Sequence, residues 1–288
     1  MKKIKKTNKL HNVALVLAHA TIEVLKSPFP KIFIHEFLLV KNWFNLQKSH
    51  EPHIVLFLEQ QQLVADTKTK LFRLDRYEQF LWFNKIVKWL YEYSHSHKNS
   101  INNCLDIGCG YATLSLFCQK IFNCSVTGTF LKTQGDYLNS EHLRALSTKK
   151  MMTFHAHDIE LDSTDHWKHS FDIILLTEVM EHLNYNPVPT LRKIREMLAA
   201  NGRLYISTPD RNTWGRKTKY FQLWKDMPNP SQNIPRISED GSVHIYHYTK
   251  EELEKIAELA GFSINKHEFS SGGVNGRHHN LELIKKED

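Results

Sequence analysis

The sequence predicts an α/β protein: a doubly wound sheet of seven strands, mostly parallel, with a helical region before it. Three observations carry this. From about Ile101 onward, short apolar runs alternate with helix-compatible ones. The run Leu105-Asp106-Ile107-Gly108-Cys109-Gly110-Tyr111-Ala112-Thr113-Leu114 passes from strand to helix through two glycines. Such a switch marks the ligand crevice at the carboxyl edge of an open sheet, where glycine lets a ligand approach the backbone. Near the end, Thr249-Lys250-Glu251-Glu252 reads as a capping box, with Thr249 and Glu252 satisfying each other's orphan donors at a helix start.

The chain divides into a helical region, 1–98, read as a cap or lid, and a domain spanning 99–288. Leu10, Val13, Leu17, Thr21 and Val24 recur at helical spacing, and Ser27-Pro28-Phe29-Pro30 breaks that helix. Apolar stretches follow at Ile32–Phe44 and Ile54–Ala65, then a helix from about Tyr77 to Tyr93. Strands are expected at Cys104–Ile107, Ser125–Phe130, Met152–Ala156, Phe171–Thr177 and Arg203–Ser207, the last preceded by an Asn201-Gly202 turn. The capped helix stops at Gly261. Strands near Phe262–Phe269 and Leu281–Lys285 bring the count to seven.

A chain of 288 residues, 41% hydrophobic, can build a sizeable core. Its net charge of +7 is mild, compatible with an anionic substrate, RNA or a peripheral membrane contact, and common in plain enzymes. Cys104, Cys109, Cys118 and Cys124 form no C-x-x-C pair and suit a reduced, cytoplasmic setting. The basic, apolar start reads as an amphipathic helix rather than a leader, because Glu23 and Lys26 interrupt it. No apolar run reaches the ~20 residues of a spanning helix. No obligate protein partner is evident.

A dinucleotide fingerprint would want glycine at position 113, where Thr113 stands. An acid ahead of the first glycine suits a ligand without a pyrophosphate. It resembles the first motif of the class I S-adenosylmethionine (SAM) methyltransferases, which have a Rossmann-like sheet. The resemblance implies that Asp106 lies near the cofactor's amino-acid end and that Gly108 and Gly110 make room for it. Ala112 stands where that family often has another small residue. After the third strand, Asp158 and Ile159 match the acid that meets the adenine amino group and the apolar residue on its ring. One departure stands out: Phe130 holds the position of the acid that usually binds the ribose hydroxyls. Gln134 or Asp136 could replace it if the loop bends back.

After the fourth strand, Glu178, Glu181 and His182 are spaced i, i+3, i+4, so a helix would put all three on one face. Two carboxylates and an imidazole can hold a divalent ion, and His182 alone could act as a base. The stretches Arg203–Asn212 and Val243–Lys250 resemble ubiquinone-biosynthesis-type O-methyltransferases and metal-dependent RNA 2′-O-methyltransferases. That likeness implies Glu178, Glu181, His182 and His244 as ligands of Mg or a similar ion, with His247 the alternate fourth. It also makes Glu178 a cofactor-binding residue. The 210–248 insertion is rich in aromatics and cations, including Trp214, Tyr220 and Trp224. Such a mixture suits an anionic aromatic ligand, a lipid head group or stacked bases, or packs as a helical flap.

The expectation is a SAM-dependent methyltransferase acting on a hydroxyl of a small-molecule acceptor, with His182, Glu181 and His244 doing the chemistry. The alternatives are an RNA 2′-O-methyltransferase and a non-catalytic module built on a decayed methyltransferase fold.

Overall fold

The structure, a computed structural model, describes residues 48–65, 74–134, 143, 146–147, 152–214, 220–231, 233–270 and 276–286. The helix expected around Leu10–Val24, the 32–44 stretch and Asp136 lie outside these residues. The described chain runs α1 (Pro52–Ala65), α2 (Leu74–His97), β1 (Asn103–Ile107), α3 (Thr113–Phe122), β2 (Ser125–Phe130) and β3 (Met152–Ala156). Then come β4 (Phe171–Thr177), α4 (Pro187–Met197), β5 (Leu198–Pro209), α5 (Lys250–Leu259), β6 (Phe262–Ser270) and β7 (His278–Lys285).

The seven strands form one sheet in the order β3-β2-β1-β4-β5-β7-β6. Neighbours from β3 to β5 are parallel, while β7 is antiparallel to both β5 and β6. Strand alternation divides the core between the two faces. Leu105, Ile107, Ile174 and Leu176 face a layer that includes Leu191 and Ile194 of α4 and Leu253 and Ile256 of α5. Cys104, Ile173 and Leu175 face Phe57 of α1, Ile86 and Leu90 of α2, and Phe117 of α3. The near-continuous apolar run of β4 follows from burial on both sides.

Two local features differ from the sequence expectation. The register between β4 and β5 jumps from Phe171↔Leu198 to Ile173↔Arg203, so Asn201-Gly202 is an irregularity inside β5 rather than a turn ahead of it. A Cβ at Gly202 would lie 2.9 Å from the Phe171 carbonyl, which explains a glycine in mid-strand. α2 is broken at Phe83 (φ −127°, ψ 26°). The Trp82 carbonyl beside the break accepts from Ser270 Oγ and Asn280 Nδ2, both at 2.8 Å. Asn280 Oδ1 in turn accepts from the Ile86 amide at 3.4 Å, so one side chain of β7 spans the kink. The capping box at Thr249 forms as expected, and Gly261 follows α5 with φ +79°. No helix among the described residues is long and apolar enough to cross a membrane.

Candidate functional site

The glycine loop leaves β1 with Gly108, Gly110 and Ala112 all at positive φ (70°, 50° and 59°). The two glycines serve different needs. A Cβ at Gly108 would sit 2.7 Å from Val179 Cγ2, whereas one at Gly110 would meet nothing within 4 Å. Gly108 is therefore a close approach between two loops, and Gly110 keeps the crevice open. Behind them, the buried Asp106 carboxylate accepts a hydrogen bond from the Ser115 hydroxyl. Burial pushes its pKa up to about 7.

Two chambers meet at this loop. One is lined by Ile107, Phe130, His157, Asp158, Ile159 and, from the insertion, Arg236 and Gly241. The other is lined by Trp82, Phe83, Asp106, Tyr111, Glu181 and His244. Gly108, Gly110, Glu178 and His182 line both, so they form the shared wall.

In the first chamber Phe130 ends β2 with an apolar ring, 5% exposed. The side chains of Gln134 and Asp136 are not among those described. Asp158 does line this chamber, but its carboxylate is engaged. Oδ1 accepts from the Glu160 and Leu161 amides at 2.9 and 3.3 Å, and Oδ2 meets the Arg236 guanidinium. The other arm of Arg236 reaches Glu160 Oε2 at 3.2 Å. Burial pushes Glu160 up to about 7 despite Arg236 and the amides of Asn184 and Tyr185. Asn184 holds the insertion in place: its Oδ1 accepts from the Ile237 and Ser238 amides, at 2.8 and 2.9 Å. Among its described residues the insertion contains one short 3-10 turn, Trp224–Asp226, and no α-helix, so the part of it that lines the crevice, Arg236 and Gly241, does so from irregular chain.

Glu178, Glu181 and His182 do not share a helical face. Glu178 has φ +55°, Val179 is non-helical, and Met180–His182 form a single 3-10 turn. The helix starts later, where the Asn186 side chain caps it and Pro187 occupies its first turn. The three side chains consequently take different partners, although the Glu178 and Glu181 carboxyl groups stay in contact. Glu178 accepts from Ser207 Oγ at 2.7 Å and from His278 Nδ1 at 2.9 Å. Glu181 accepts from Thr208 Oγ1 at 3.0 Å. His182 Nδ1 lies 2.9 Å from the Val243 carbonyl. A carbonyl only accepts, so that nitrogen carries the proton and Nε2 is left bare, 3.8 Å from Glu181 Oε1. His244 bonds through Nδ1 to His247 Nε2 at 2.7 Å, which sets His247 behind it.

Three of the four expected ligands come together. Glu181, His182 and His244 each offer one ligand atom within 4.8 Å of the others; Glu178 is not in the group. Electrostatics separate the two glutamates. Burial pushes both up, but His278 and Ser207 outweigh it at Glu178 and hold that carboxyl below its usual value. Burial and the adjacent Glu178 push Glu181 well above its own. Burial lowers His182, and burial with the neighbouring imidazoles lowers His244 to about 3.

Sequence reasoning missed His278, Ser207, Trp82 and Arg236. His278 lies under Trp82 (ring centroids 5.7 Å apart, 16° between planes) and meets the edge of Trp214 at 4.9 Å. The only signal was the pair His278-His279, just upstream of the apolar run that marks β7.

Comparison with known proteins agrees with this architecture. A methyltransferase-domain family matches residues 61–267. The structure of 1,6-didemethyltoxoflavin-N1-methyltransferase from Burkholderia thailandensis superposes with a TM-score of 0.51 at 14% identity, covering 86% of this chain and 90% of that one. A protein from Pyrococcus horikoshii OT3 superposes with a TM-score of 0.51 at 15% identity, covering 77% and 94%. At such identities the likeness is one of fold. No curated protein matches the chain. With the family match spanning most of the chain, and with this strand order and glycine crevice, the chain belongs to the methyltransferase-domain family as a class I, SAM-dependent member.

Proposed function

We propose that the protein transfers the SAM methyl group to a hydroxyl of a small-molecule acceptor. The observation that carries this is the pair of chambers meeting at Gly108, Gly110, Glu178 and His182. In this reading the adenosine lies in the first chamber against Ile159 and Asp158, and the methionine end lies along Asp106, Gly108 and Gly110, with Glu178 on the shared wall. The acceptor occupies the ring-lined second chamber. The Burkholderia neighbour, crystallised with 1,6-didemethyltoxoflavin and S-adenosylhomocysteine, offers a precedent for a small-molecule acceptor.

His182 is the better base of the two histidines proposed. Its Nδ1–H is fixed on Val243 and its bare Nε2 faces Glu181, whereas His244, at about 3, is too weak to hold a hydroxyl proton. Transfer would proceed in line, with the acceptor oxygen opposite the sulfur–methyl bond; much of the rate comes from holding that line. The test is Glu181→Gln, with SAM affinity measured by calorimetry and S-adenosylhomocysteine release measured against catechol and methyl glucoside. A loss of turnover of about 100-fold or more at preserved SAM affinity supports the site. Undiminished turnover removes Glu181 and the geometry built on it.

The convergence of Glu181, His182 and His244 favours a second version of the same reaction, with a divalent ion. The donor set fits: two imidazoles made neutral by burial and one carboxylate with little other compensation. Two nitrogens and one oxygen suit a borderline ion such as Mn²⁺ better than Mg²⁺. The ion would lower the pKa of the acceptor hydroxyl. Mn²⁺ binding that is lost in His244→Ala, read by electron paramagnetic resonance, would support this version. An RNA acceptor is the remaining alternative, and strongly salt-dependent binding to short RNA would favour it.

A further inference from the structure

Glu178 combines features that its proposed place beside the cofactor does not explain. It lines both chambers, so it stands where the donor must pass from one to the other. Its backbone is in the left-handed region, costly for a residue with a side chain and usually kept only where function demands it. Its carboxylate takes two donors, Ser207 Oγ from the end of β5 and His278 Nδ1 from the start of β7. His278 is wholly buried and gripped by two indole rings, so the donor cannot swing away. The surroundings are short of positive charge. Asp106, Asp158, Glu160, Glu178 and Glu181 line the chambers, and the one lysine or arginine among the described lining residues is Arg236. Arg236 is already bound to Asp158 and Glu160. Glu178 therefore has an imidazole and a hydroxyl as donors, and no lysine or arginine among the described lining residues is left to pair with it.

We propose that Glu178, oriented by His278 and Ser207, makes the site selective for the positively charged sulfonium of SAM over the neutral thioether left after transfer. A carboxylate shielded from solvent, as Glu178 is with 14% of its side chain exposed, attracts a nearby cation more strongly than it would in open water. Methyl transfer removes that charge, so the same carboxylate that holds the donor has no hold on the product's sulfur. His278 is a positioning residue here: it acts through Glu178.

The test needs no acceptor. The full-length protein is titrated calorimetrically with SAM, with S-adenosylhomocysteine, and with sinefungin, which carries an ammonium close to the sulfonium position. Glu178→Gln should weaken SAM and sinefungin by about tenfold while leaving S-adenosylhomocysteine within about threefold. His278→Leu should shift the same ratio in the same direction, and His278→Asn, which keeps an N–H donor, should restore most of it. A parallel loss for all three ligands in these variants would overturn the proposal. So would a wild-type protein that binds sinefungin no better than S-adenosylhomocysteine, a comparison that holds even if a variant fails to fold. Failure to bind any of the three would strike the donor assignment itself, a distinct result.

Discussion

At the residue scale, the glycine loop, the buried Asp106 and His244 give the sharpest expectations. Gly108→Ala adds a Cβ 2.7 Å from Val179 at a φ of +70°. It should cost about 1–2 kcal/mol in a urea titration, and SAM affinity should fall with it. Asp106 has a folded pKa of about 7, above its unfolded value near 3.8. An acid raised on folding binds more protons in the native state, so its contribution to stability declines as pH rises between those values. The stability of Asp106→Asn relative to wild type should therefore grow from pH 4 to about pH 7 and then level off. His244 is displaced the other way, to about 3, so wild type should lose its contribution as pH falls from about 6.5 towards 3. His244→Asn should flatten that acid limb in the same measurement. Much of this scale was legible in advance. Gly108, Gly110, Asp106, Asp158, Glu181, His182 and His244 all line the chambers. Glu178 lines them too, but its left-handed backbone was not legible, because spacing alone implies a helix and the turn depends on contacts with β5 and β7.

At the element scale, adjacent strands and the insertion act as clamps. Asn280→Ala removes a bridge across the break in α2 and leaves the Ile86 amide and part of the Trp82 carbonyl's bonding unmet. We expect a loss of about 1–3 kcal/mol by denaturant titration, with a red shift of tryptophan emission as Trp82 loosens. Arg236 ties the insertion to the loop after β3 through Asp158 and Glu160. Arg236→Gln should speed proteolysis within the insertion and raise the SAM off-rate in stopped-flow measurements, since the insertion is one wall of the first chamber, where we propose that the adenosine lies. Strands β2, β3 and β4 were legible to the residue because alternation and apolar runs report a sheet buried on both faces. The start of β7 was not. Its His-His-Asn opening is polar, and those residues are buried by partners distant in sequence rather than by hydrophobicity.

At the scale of the whole molecule, a basic protein encloses an acid-lined crevice. A cationic ligand should stabilise it markedly: SAM at 100 times its Kd adds about 2.7 kcal/mol to unfolding, a rise in Tm of several degrees by scanning calorimetry. The sheet order carries a further consequence. β7 is made last yet lies between β5 and β6, and it supplies both the imidazole on Glu178 and the amide across α2. A chain emerging from the ribosome can form the glycine loop and its parallel strands long before these arrive. Until the final hairpin docks, β5 presents an open edge and Trp82 has no seat. Synthesis thus lets the first chamber's strands form early and seats Trp82 and Glu178 only at the end. A nascent or truncated chain ending before His278 could engage the nucleoside yet would lack the parts that tell donor from product.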